Sequence, residues 1–236
     1  MNLKVLLVFL FFMLGACSQT AGENKANANQ ELTTIINDYQ SFVESSSPFN
    51  KTEPGGNNAR LPDLSPQTLA RQHKQSLMLY QRLNALDTEQ LDVANRINWS
   101  VLTYKLKNDI DNYVNKEHYM PLTAESGFHV WISYINQKVN FRTEQDYQDY
   151  IARLRAIPRY FTQQTEWMEK GLAEGITQPQ VVLQGFEQSI LAFIKDDVRQ
   201  STYFKPFLTM PEHLGEAVKN ELQETAEQII RDQVFA

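Results

Sequence analysis

An all-α fold, built as an irregular multi-helix bundle, is what this sequence predicts, and three observations predict it. Apolar residues recur at three- and four-residue spacing over most of the 236 positions. The nine glycines and nine prolines fall mainly between the periodic stretches, where breakers belong. Cys17 is the single cysteine, so no internal disulfide can form and packing alone must hold the core.

The N-terminus carries an export signal. Met1-Asn2-Leu3-Lys4 precedes an unbroken apolar run from Val5 to Leu14, and Gly15-Ala16-Cys17 follows it. A basic residue, a short apolar stretch and small residues at a cleavage point define a secretory signal peptide, here residues 1–16. The run is too short for a comfortable membrane span, which needs ~20 residues. Leu14-Gly15-Ala16-Cys17 resembles the bacterial lipobox, in which the cysteine is acylated and becomes the mature N-terminus. Cys17 is therefore the candidate lipidation residue, and the acylated cysteine would hold the protein to a lipid bilayer; several acyl chains anchor stably where one is marginal. An ordinary signal peptide with an incidental cysteine, or an uncleaved apolar anchor, is the plainer alternative. Ser18, rather than Asp, follows the cysteine, which in a Gram-negative host implies an outer-membrane lipoprotein facing the periplasm. Residues 17–29 are polar and small, a composition that predicts a flexible tether, and the helical domain is expected over 30–236.

The elements follow in order. Leu32, Ile35, Ile36, Tyr39, Phe42 and Val43 form one face of a first helix. Residues 46–63, with Pro48, Pro54-Gly55-Gly56 and Pro62, predict a long loop. Ser65-Pro66 opens a helix, the serine as cap and the proline at the first position, with Leu69, His73, Leu77, Tyr80 and Leu83 inward. Asp87 and Gln90 have capping-box spacing before a long helix whose inner stripe reads Leu91, Ala94, Ile97, Val101, Ile110 and Tyr113. Pro121 ends that region. Phe128, Trp131, Ile132, Ile135 and Val139 fit a helix, although 128–135 also alternates as a strand would. Thr143 caps the next helix, Pro158 is expected to interrupt it, and Gly175 suits its C-terminal cap. Thr177 and Pro179 open another helix through Val182, Phe186, Ile190 and Phe193, and Phe204-Lys205-Pro206-Phe207 reads as a loop. A last helix from Pro211 carries Leu214, Val218, Leu222, Ala226, Ile229 and Ile230. Val234-Phe235-Ala236 follows with no breaker, which predicts that the native polypeptide continues; a buried, docked end is the alternative.

Chemistry is sparse. The formal net charge is −6, without a basic cluster, which argues against nucleic acid as a partner. A zinc-peptidase helix needs His-Glu-x-x-His, two imidazoles on one face beside a general-base glutamate. His73, His118, His129 and His213 are the four histidines; none precedes a Glu, and no two lie within a turn of each other. No metal ligand, cofactor-binding residue or catalytic residue is therefore assigned. Asp109/Asp111 and Asp196-Asp197 read as solvated helix faces or ends rather than ligands. Trp131, Tyr134, Tyr147 and Tyr150 read as core before they read as a substrate groove.

One stretch carries a resemblance. Residues 146–160, DYQDYIARLRAIPRY, with 168–179, MEKGLAEGITQP, resemble the bacterial domain-of-unknown-function 885 family. Met120-Pro121-Leu122-Thr123 and Tyr203-Phe204-Lys205-Pro206-Phe207 extend the likeness, which runs from about Leu32 to the end. The resemblance implies a long helical protein, often a lipoprotein, normally more than twice this length. It also implies a His-Glu-x-x-Pro-Gly-His zinc helix in the C-terminal half, hence a zinc metallopeptidase-like fold acting on peptides. That segment is absent here, so the expectation is an N-terminal, truncated part of the larger fold, inactive alone, with zinc and peptide substrate belonging to the full-length family. A non-enzymatic helical envelope lipoprotein, acting as a binding or scaffold module, is the rival reading.

Overall fold

The structure is a computed structural model that describes residues 3–47, 59–137 and 139–236, with side chains from residue 24 onward. Eight α-helices appear among the described residues: α1 Leu3–Ser46, α2 Pro66–Asn84, α3 Val93–Val114, α4 Phe128–Ile132, α5 Glu144–Glu174, α6 Phe186–Leu191, α7 Lys205–Leu208 and α8 Glu216–Ile229. The only pairing of β type among them is an isolated bridge between Leu122 and Gly127. The fold is all-α, as its periodicity predicts. Residues 48–58, most of the expected loop, lie outside the described residues, and so does the Cys17 side chain.

The chain divides into two compact units, Met1–Phe42 with Arg71–Asp111, and Val43–Ala70 with Asn112–Ala236. The first is a small three-helix assembly. Leu32 and Ile35 of α1, Leu79 and Leu83 of α2, Leu91, and Leu102 and Leu106 of α3 make its buried core. Trp99 packs against that core and donates its indole N–H to the Leu83 carbonyl at 2.9 Å. Arg82 reaches α1 through Asp38 at 2.6 Å and Glu31 at 2.9 Å.

Three expectations change in this unit. The first helix is continuous through 17–29, where a tether was expected. Its residue Asn29 accepts from the Asp92 amide at 3.2 Å and from the Asn95 side chain at 2.7 Å, and Ala28 packs against the core. The packed body thus begins before residue 30. Asp87 caps a short 3₁₀ turn, Thr88–Gln90, whereas Asp92 accepts the Asn95 amide at 2.8 Å at the start of α3. The third change concerns the α3 face. Leu102 and Leu106 point inward, and Ile97 and Val101, expected there, are 61% and 63% exposed. Helix α3 is apolar on both sides, so periodicity alone gives no unique inner face.

The second unit is organised around α5. Thr143 and Asp146 form a reciprocal capping box, and Gly175 closes the helix at φ 73°, a conformation that costs glycine nothing. Pro158 does not break it: α5 runs through as one 31-residue helix. Tyr147, Tyr150, Ile151, Leu154, Ile157 and Tyr160 present its inner stripe to Phe128 and Ile132 of α4, to Tyr203, Phe204 and Phe207 around α7, and to Leu222, Ala226, Ile229 and Ile230 at the C-terminus. The aromatic rings interlock, with Phe207 5.5 Å from Tyr147 and 5.9 Å from Tyr150. Ser65 and Pro66 open α2 as expected, the Ser65 hydroxyl accepting from the Thr68 amide at 3.4 Å.

The segment after α5 is more broken than its spacing suggests. A 3₁₀ turn at Gln180–Val182 and Gly185 at φ 86° precede the short α6, while Lys205–Leu208 is a helical turn rather than a loop. Beyond α8 the backbone widens into a π-turn, Ile230–Val234, closed by the Phe235 amide on the Ile230 carbonyl at 3.0 Å. Val234 and Phe235 pack against the core.

Candidate functional site

The residues singled out from the sequence part company in the structure. Asp109 and Asp111 form i,i+4 ion pairs with Lys105 and Lys107, and Asp197 caps a 3₁₀ turn by accepting the Arg199 amide at 2.9 Å. These carboxylates are helix furniture, as read. Tyr147 and Tyr150 are fully buried, but Trp131 and Tyr134 are 69% and 49% exposed and line the surface instead. Among the described residues no three His, Cys, Asp or Glu side chains converge into a group that could hold a metal ion. The donors among the described residues do not fit a zinc centre of the type the family resemblance implies.

His118 belongs to an aromatic clasp that ties residues 113–119 to α5. Its ring stacks on Tyr113 at 5.3 Å and meets the edge of Trp167 at 4.5 Å, and Lys170 lies 5.1 Å over the Trp167 ring. Burial first, then the charges of Lys170 and Lys116, hold the His118 imidazole below its ordinary value. A neutral, ring-stacked imidazole is a packing group.

His129 is the nearest approach to catalytic geometry. It is buried on α4, and its Nε2 lies 2.8 Å from the Ser189 hydroxyl of α6. Ser189 donates back to the Phe186 carbonyl at 2.6 Å, so it accepts from the imidazole. An activated serine needs the opposite polarity, with the base taking the serine proton. Burial lowers the His129 pKa, and its Nδ1 lacks a hydrogen-bond partner. The pair pins α4 to α6. Gly127, at φ 142°, makes room for this: a Cβ there would lie 2.6 Å from the Pro121 carbonyl and 3.2 Å from His129 Nδ1. Nothing in the one-dimensional pattern points to this pair, because 60 residues separate its members.

One open cleft, of about 890 Å³, runs along the outer side of α5. Pro158 and Phe161 give it an apolar floor, and Arg155, Glu166, Glu169 and Asp232 give it a mainly acidic rim. The π-turn supplies Asp232 and Val234 to its far side. A proline inside a helix removes one N–H donor and leaves the carbonyl four residues back without its helical partner. That is the only hint of the cleft that the sequence carries. Apolar contact and negative charge are what the cleft offers a ligand.

Comparisons with known proteins agree with this architecture. The model of the family described as "Bacterial protein of unknown function (DUF885)" matches residues 48–236. The match begins later than the Leu32 boundary expected from the resemblance. No curated protein sequence matches the chain. A crystal structure described as "the putative lipoprotein from Colwellia psychrerythraea" superposes with a TM-score of 0.64 at 16% identity, over 92% of this chain and 39% of that one. The likeness is one of fold, and the chain spans well under half the length of that relative. With most of its length matched by the family model, the chain belongs to the DUF885 family of bacterial proteins of unknown function.

Proposed function

We propose that this chain is the N-terminal, non-catalytic part of a metal-dependent peptidase-like envelope lipoprotein, anchored through acylated Cys17. The observation that carries the reading is the asymmetry of length: nearly the whole chain superposes on 39% of a lipoprotein chain. The family match and the Leu14-Gly15-Ala16-Cys17 lipobox support it. In this reading zinc and the residues that ligate it belong to the part of the fold that the chain does not span, and the acidic cleft on α5 is one wall of a peptide-binding groove. The His129–Ser189 pair agrees, because its polarity is structural. The protein would sit at the cell envelope, on the periplasmic side of the outer membrane in a Gram-negative host.

Metal analysis and peptidase assays on the purified chain test the proposal. The expected outcome is no stoichiometric zinc and no turnover of unstructured peptides. Zinc at one equivalent together with peptide cleavage would sink it. A second reading, a non-enzymatic binding or scaffold lipoprotein, is favoured by the exposure of Trp131 and Tyr134 beside the pinned α4–α6 pair. A confirmed stop after Ala236, with a monomeric and cooperatively folding product, would select it over the first.

A further inference from the structure

The outward face of α3 is the feature of this molecule least at home in water. Val93, Ile97, Val101 and Tyr104 are 69%, 61%, 63% and 75% exposed, and they recur at spacings of four, four and three. That spacing places them on one side of the helix, in a seam three turns and ~16 Å long. The opposite side already holds Leu102, Leu106 and Trp99 against the core. A helix apolar on both sides is the mark of an element covered on both sides.

We infer that this seam is the seat of a second polypeptide segment, an amphipathic helix of about three turns with an aliphatic stripe, supplied by the portion of the longer lipoprotein fold that this chain does not span. The inference rests on the proposed reading of the chain as part of a larger fold. More than half of the Colwellia lipoprotein lies outside the match, so the fold has ample polypeptide to cover α3. A second copy of the chain is a poorer occupant. Three turns of one helix offer far less than the ~800 Å² per partner of a stable dimer. A membrane surface is poorer too. An interfacial helix is rich in Lys and Arg on its polar face, whereas α3 has three basic residues, Arg96, Lys105 and Lys107, and the two lysines are each paired with an aspartate four residues on.

The test compares the whole chain with the whole Colwellia lipoprotein. In this chain, Ile97→Glu combined with Val101→Glu should leave Tm nearly unchanged and reduce the fluorescence of a bound hydrophobic dye severalfold. Leu102→Glu, on the inner face, is the control that should unfold the first unit. In the Colwellia protein, glutamate at the two positions that superpose on Ile97 and Val101 should lower Tm by about 5 °C or more, because there the seam is covered. The inference is overturned if the Colwellia protein tolerates both glutamates, or if the double variant destabilises this chain as Leu102→Glu does. It is also overturned if light scattering shows a wild-type dimer that the double variant splits. Co-sedimentation with phosphatidylglycerol vesicles that is lost in the double variant would overturn it in favour of lipid. Zinc-dependent peptide cleavage by the purified chain would sink the proposed function while leaving these stability readings interpretable.

Discussion

Two neighbouring tyrosines on α5 carry the same burial and opposite hydrogen-bond fates. Tyr150 donates its hydroxyl to the Tyr203 carbonyl at 3.0 Å; the equally buried Tyr147 hydroxyl has no partner. Removing a satisfied hydroxyl strands a buried carbonyl, whereas removing an unsatisfied one relieves a desolvation cost. Tyr150→Phe should therefore lose about 1–2 kcal/mol in urea unfolding, and Tyr147→Phe should be neutral or gain up to about 1 kcal/mol. Equal losses would mean that Tyr147 has a partner after all. His118 gives a pH dependence of definite sign. Its folded pKa is depressed by burial and by Lys170 and Lys116, so its contribution is fully present above the unfolded value of about 6.5 and is lost as pH falls through and below it. His129, depressed by burial, acts in the same direction. Urea midpoints should drop between about pH 7.5 and 5.5, and His118→Gln should flatten part of that drop. A profile unchanged by the substitution would remove His118 from the account. Asp63 acts lower on the scale: the Thr68 hydroxyl, with help from Gln163 and Ser65, holds its carboxyl well below the usual range. Its contribution is present above about pH 4 and lost below.

At the scale of elements, α5 is the axis of the second unit, and two of its residues test opposite claims. Leu154 is fully buried in the stripe that meets α4, α7 and α8. Leu154→Ala should cost about 2–5 kcal/mol, as a cavity in a packed core does; a loss under about 0.5 kcal/mol would place it at the surface. Pro158 is exposed and interior to the helix, where it removes a backbone hydrogen bond that α5 otherwise continues to make. Pro158→Ala should therefore stabilise by about 1–3 kcal/mol, read as a rise in unfolding midpoint. A loss of stability would show that the proline ring at the cleft floor packs against something that outweighs the missing bond.

For the whole molecule, the informative facts are the family and the share of a longer fold that the chain spans. The proposed anchor has its own experiment: Cys17→Ser should move the protein from the membrane fraction to the soluble fraction or block its processing. Unchanged membrane fractionation would count against acylation at Cys17. The openings of α2 at Ser65-Pro66 and of α5 at Thr143 were legible in advance because capping is local chemistry within four residues, whereas the run of α5 through Pro158 was not. The stripe of α8 was legible because one side of that helix is apolar and the other charged. The inner face of α3 was not, since Ile97 and Val101 compete with Leu102 and Leu106 and only the neighbours of the helix decide between them. The His129–Ser189 pair and the acidic cleft were not legible either, because each joins side chains that the sequence holds far apart. What the sequence determined by itself was set by near neighbours along the chain: the all-α class, the openings of α2 and α5 and the lack of a His-Glu dipeptide. What the tertiary structure alone decided was which apolar face is covered and which polar groups meet, because burial depends on what a face packs against, and the spacing of residues along a helix is blind to its partner.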